Sequence, residues 1–190
     1  MRKLILLVSL ACLFLLAILV LRPGIQVQAD GPGIVGTWLV TTTPNVPPGT
    51  PPFSYSELVA FNPGGTLVDT HAIAHGSELP FLPPPVAVDS SDAFGVWRAL
   101  GNTNQVATTH QRLLFAGPNT PAALYGPFFP GQHVGFETVQ TVLTLQTGPD
   151  GDTLSGPFTV EFVNLSGQVV FADSGTVVFK RLRIQPLVTP

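Results

Sequence analysis

Short runs of β-branched and aromatic residues, each bounded by glycine, proline, asparagine or aspartate, recur from residue 34 to residue 184. Such side chains suit the pleated, half-buried surface of a strand. No amphipathic helical stretch separates the runs, and Lys, Glu and Met are scarce after residue 29. Eight strands are expected, at 34–43, 54–61, 66–73, 93–100, 105–115, 134–146, 153–163 and 169–184. Four links are short, at 62–65, 101–104, 147–152 and 164–167, and each offers Gly or Asn for a left-handed turn position. Successive hairpins make each strand the antiparallel neighbour of the next. With no helix to cover a face, eight meandering strands lose their exposed edges most simply by closing on themselves. The expected fold is therefore all-β, a single eight-stranded antiparallel up-and-down barrel spanning residues 30–190.

Three links are long, at 44–53, 74–92 and 116–133. In a meander, alternate links lie at alternate ends, so all three fall at one end. The barrel has one plain end and one elaborated mouth. The mouth loops are rich in proline, which fixes φ and lowers the entropy cost of holding one loop shape. They also carry Phe53, Phe81, Tyr125, Phe128 and Phe129. Exposed aromatics on this scale line a cavity, meet a partner, or fold inward as a plug.

Residues 1–29 are a different kind of segment. Arg2 and Lys3 precede an apolar run over 4–21, and small residues at Val27 and Ala29 precede Asp30. This is the pattern of a secretory signal peptide cut after residue 29, with an uncleaved membrane anchor as the alternative. The expected location is secreted or extracytoplasmic. The single cysteine, Cys12, lies inside the apolar run, so no disulfide framework is expected in the barrel. Beyond residue 29 there are five basic against eleven acidic residues, a balance of −6. Such a surface repels phosphate backbones, and no polybasic segment is present to hold a membrane. Nucleic-acid binding is excluded, as is membrane association beyond the N-terminal segment.

Gly36-Thr37-Trp38 opens the first strand, and Lys180-Arg181-Leu182-Arg183 closes the last at the same end. This arrangement resembles the lipocalin-type (calycin) barrel, in which a Gly-x-Trp tryptophan packs under a late arginine. The resemblance implies structural roles for Gly36 and Trp38, with Arg181 or Arg183 stacked on the indole as a cation–π partner. The disulfide and C-terminal helix of that family are missing here. The chain is also similar to secreted bacterial barrel proteins with a Phe-x-x-Gly-Gly-Thr spacing (Phe61, Gly64, Gly65, Thr66) and a second Gly-x-Trp (Gly95, Trp97). That similarity implies a fold and no activity. Allene-oxide-cyclase-type barrels share the outline, and some act as cofactor-free cyclases.

Candidate chemistry is sparse. No Gly-x-Ser-x-Gly motif, cysteine nucleophile or phosphate-binding glycine loop occurs after residue 29. His71 and His75, near Asp69, would be about 13 Å apart on an extended strand, too far for one ion, so no metal is expected. No cofactor is expected either. Asn164-Leu165-Ser166 matches a glycosylation sequon. On the sixth strand Glu137 shares the more apolar face with Val139, Thr141, Leu143 and Leu145, which marks it as an inward carboxylate paired with Arg98 or Arg112. The expected function is binding of a small apolar or amphipathic molecule. Trp97, Tyr125, Phe128 and Phe129 would supply apolar walls, and Glu137 with Arg98 or Arg112 would orient the ligand. One alternative is a cofactor-free cyclase or isomerase, with Glu137 or His110 moving a proton. Another is a structural or protein-interaction module that uses the Pro/Phe loops. Whether the chain is an enzyme stays open at this level.

Overall fold

A computed structural model describes residues 33–46, 52–79, 82–101, 103–149 and 151–183. The expected signal segment, residues 1–29, lies outside the described residues, as does Phe81. Among the described residues no helix is long and apolar enough to cross a membrane.

The chain forms β1 (Gly36–Pro44), β2 (Tyr55–Asn62), β3 (Thr66–His71), β4 (Asp89–Ser90), β5 (Ala93–Ala99), β6 (Gln105–Phe115), β7 (His133–Gln146), β8 (Thr153–Asn164) and β9 (Val169–Arg181). All pairings are antiparallel. The ladder runs β6-β5-β3-β2-β1-β9-β8-β7 and closes through β6–β7, so eight strands make a complete barrel. The two-residue β4 adds to the end of β6 beyond β5. Thus β4 and β5 form one broken strand. Closure pairs every strand on both sides and removes the exposed edges of an open sheet.

Side chains alternate about the barrel wall. In β6, Val106, Thr108, His110, Arg112 and Leu114 are buried, while Gln105, Gln111 and Leu113 are exposed. The plain end is packed solid by Trp38, Phe61, Leu67, Trp97, Leu143, Leu154 and Phe179. Each large apolar side chain withdrawn from water in this way contributes about 1.5–3 kcal/mol. Trp38 is fully buried, and its Nε1–H donates to the Ile34 carbonyl at 2.9 Å. The Arg181 guanidinium sits 4.2 Å from the centre of the Trp38 ring. Its Nε donates to Asp152 at 2.9 Å and its Nη1 to the Val35 carbonyl at 2.8 Å. Gly36 (φ +135°) lies under this guanidinium, and a Cβ there would come within 2.9 Å of Arg181 Nη1. Arg183 lies apart, against Gly151.

The three long links lie together at the opposite end, with the short link between β8 and β9. They contain more structure than expected. The described residues of the link between β3 and β5, 72–79 and 82–92, carry a His75–Asp89 bridge and two short 3-10 turns, Gly76–Glu78 and Pro84–Val86. The 116–132 link contains a one-turn helix, α1 (Ala122–Tyr125). The two links brace one another. Asn119 donates to the Ser77 carbonyl at 2.7 Å, Thr120 to the Ala87 carbonyl at 2.7 Å, and the Tyr125 hydroxyl to the Pro85 carbonyl at 2.5 Å.

Candidate functional site

Between the packed plain end and the mouth lies a layer of buried charge. Its members all occupy inward positions: Glu57 on β2, Asp69 on β3, His110 and Arg112 on β6, and Glu137 on β7. Arg112 and Glu137 are direct cross-strand partners, and Arg112 Nη1 donates to Glu137 Oε1 at 2.7 Å. Arg112 Nη2 donates to Asp69 Oδ2 and lies 3.7 Å from Glu57 Oε1. His110 Nε2 lies 3.3 Å from Asp69 Oδ2.

Asp69 reaches Arg112 and His110 over an intervening strand. The inward positions of β5 at that level are Ala93, opposite Asp69, and Gly95, opposite His110. A Cβ on Gly95 would collide with the Thr109 carbonyl oxygen and lie 2.5 Å from His110 Cβ. Two minimal residues on β5 therefore clear the space in which β3 and β6 side chains meet.

Burial governs the protonation of this layer. A guanidinium stays charged even away from water, and adjacent carboxylates offset the cost of burying that charge. Burial would lower the Arg112 pKa, but Glu137, Asp69 and Glu57 outweigh burial and raise it. Glu57 is pushed up to about 8 by burial and by Asp69, only partly offset by Arg112, so it holds a proton at neutral pH. Burial raises Asp69 to about 6 against the pull of Arg112. Burial and Arg112 both lower His110 to about 3. His110 is therefore neutral, and its 3.3 Å approach to Asp69 is not an ion pair. Burial, Arg112 and His110 likewise lower His71 to about 3. Its Nε2 lies 2.6 Å from the Ser90 hydroxyl.

Two cavities adjoin the charged layer. An inner pocket of ≈30 Å³ is lined by Thr42, Glu57, Thr108, His110 and Thr141 among apolar neighbours. A mouth cavity of ≈820 Å³ is walled by Phe53, Val86, Leu114, Phe162 and Phe171, with His71 and Ser90 as polar members. Tyr55, Glu137, Phe158 and Val160 line both. The Tyr55 hydroxyl keeps its proton, because burial and then Glu57 raise its pKa well above the usual range.

Several residues singled out from sequence sit elsewhere. Glu137 is inward and lines both cavities, and its partner is Arg112 beside it in the wall. Arg98 is exposed on the outer face of β5, since it alternates with the buried Trp97. Trp97 packs edge-on against Phe61 in the plain-end core and donates to the Asn62 carbonyl at 3.1 Å. Tyr125 ties two loops together, Phe128 packs against the core, and Phe129 is 80% exposed. None of these four aromatics lines the mouth cavity. Its aromatic walls come instead from Phe53, Tyr55, Phe158, Phe162 and Phe171. Phe158, Val160 and Phe162 share one parity of β8, so their common inward face is legible in the alternation of that strand. Asp69 and Glu57 gave no such signal, because their partners lie on strands distant in sequence.

The Asn164 sequon is consumed by structure. Its Nδ2 donates to the Leu124 carbonyl at 2.8 Å, and its Oδ1 accepts from the Ser166 and Gln168 amides. Among the described residues no group of three His, Cys, Asp or Glu side chains is arranged to hold a metal ion.

The fold and this interior define a class: a closed eight-stranded antiparallel barrel, compatible with a lipocalin-like outline, with a charged layer beneath an open mouth. No protein-family model matches the chain, and no curated protein matches it.

Proposed function

We propose that this protein is an exported barrel that binds a small, predominantly apolar molecule in its mouth. The supporting observation is the ≈820 Å³ cavity with mostly apolar walls and a few convergent polar groups at Tyr55, His71 and Glu137. Its size falls within the range of small-molecule sites, roughly 300–1,000 Å³. Native mass spectrometry of the protein recovered from its own host tests this. A retained small-molecule adduct that is lost on denaturation is the expected result. A clean apo mass, together with no uptake of an environment-sensitive apolar dye, would sink the reading.

One observation favours a second reading, a cofactor-free cyclase or isomerase. Glu137, a group able to move a proton, is reachable from the mouth, whereas His110 lines only the inner pocket. Turnover with a pH–rate profile that disappears in Glu137→Gln would distinguish catalysis from binding.

A further inference from the structure

We propose that the ligand of this barrel is an uncharged alcohol, its hydrocarbon part in the mouth cavity and its hydroxyl group in the inner pocket between Thr42 and His110. This rests on the apolar-binding reading above and adds the chemistry of the head group.

Tyr55, Glu137, Phe158 and Val160 line both cavities, so the inner pocket adjoins the mouth at these residues. Thr42 and His110 line the inner pocket and are 2% and 7% exposed. Among the described residues Thr42 Oγ1 and His110 Nδ1 have no hydrogen-bond partner. The Thr42 hydroxyl comes near the Glu57 carboxyl without closing a hydrogen bond to it. The polar set around the pocket is mixed. A threonine hydroxyl both donates and accepts, and a neutral imidazole nitrogen does one or the other according to its tautomer. Protonated Glu57 and Tyr55, which also line the pocket, add donors. A ligand hydroxyl donates one bond and accepts two, so it meets this set with either tautomer of His110. An ammonium only donates and a carboxylate only accepts. A pocket of ≈30 Å³ has room for a group of water size, which leaves the larger cavity for hydrocarbon.

The pocket wall also holds one acid and one base whose own protonation reports how charge fares there. Burial and Asp69 raise Glu57 to about 8 against the pull of Arg112, so the guanidinium does not suffice to hold this further carboxylate at neutral pH. Burial and Arg112 together lower His110 to about 3, so a cation is disfavoured as well. A charged head group of either sign would meet the same burial and the same neighbours.

The test is titration calorimetry of the full-length protein at pH 7 with four probes of matched length: decan-1-ol, nonyl methyl ether, decylamine and decanoate, each below its micelle concentration. Decan-1-ol should bind about tenfold or more tightly than decylamine and decanoate. It should bind about threefold or more tightly than the ether, which accepts but cannot donate. Thr42→Val keeps side-chain volume and removes the unpaired hydroxyl. It should weaken decan-1-ol by about threefold or more and change decylamine and decanoate by less than about twofold. The probe series in the unsubstituted protein stands whether or not this variant folds. Decylamine or decanoate binding as tightly as decan-1-ol would overturn the head-group assignment and leave the apolar-binding reading standing. Equal binding of the alcohol and the ether, or full alcohol affinity in Thr42→Val, would overturn it as well. Failure of all four probes to bind would overturn both readings.

Discussion

Arg112 shows how much a single interior residue commits. The residue is 2% exposed and its guanidinium donates to Glu137 and Asp69, so it cannot be removed alone. Arg112→Leu would leave three carboxyl groups facing one another without a counter-charge. The variant should lose about 3–5 kcal/mol of stability, read by urea denaturation. A loss below about 1 kcal/mol would show that water already screens the layer. The parity of β7 made Glu137 legible as an inward group, and one of the two arginines considered for it is its partner, whereas the alternation of β6 left the inward face of His110 and Arg112 ambiguous. The competing partner, Arg98, was separable only once the inward face of β5 was known. At Asn164 a three-residue motif suggested modification, while the folded side chain is a turn brace with its amide already used.

At the level of elements, β5 carries more than its share. Its inward residues are small at Ala93 and Gly95 and large only at Trp97. That gradient opens space beside the charged layer and fills the plain end. Gly95→Ala should cost about 1–3 kcal/mol by overpacking, because the colliding atoms include a backbone carbonyl that cannot rotate away. A thermal melt of the variant, with a Gly101→Ala control in a turn where no atom lies near, would separate packing from backbone strain. The eight barrel strands were readable from alternation and turn residues. By contrast β4 and α1, of two and four residues, are too short to carry a period. They exist because neighbouring loops hold them. The same bracing explains why Tyr125 became a tie between loops and not a cavity wall.

For the whole molecule, the buried layer dictates a pH response. His71 and His110 fall from 6.5 to about 3 on folding, so between those values the unfolded chain binds more protons and stability rises with pH. Glu57 rises from 4.5 to about 8 and Asp69 from 3.8 to about 6, so the folded chain binds more protons there and stability falls as pH rises. Below about pH 4 only the histidine effect acts. From about pH 4.5 to 6 the two pairs oppose and nearly cancel, and from about pH 6.5 to 8 Glu57 alone remains. Thermal midpoints at constant ionic strength should climb from about pH 3 to a plateau near about pH 4.5–6, then decline toward about pH 8. A midpoint still rising between about pH 6.5 and 8 would contradict the assignment of a protonated Glu57.

Read alone, the order of amino acids carries the class of fold, the order and direction of the strands, and the end at which the long loops gather. Each follows from local periodicity, turn chemistry or position along a meander. The tertiary structure alone decided which aromatics line the mouth, that Asp69 and Glu57 join Arg112, and which groups keep their protons. The physical reason is that these depend on barrel closure, which brings inward residues of distant strands together and excludes the water that would otherwise screen them.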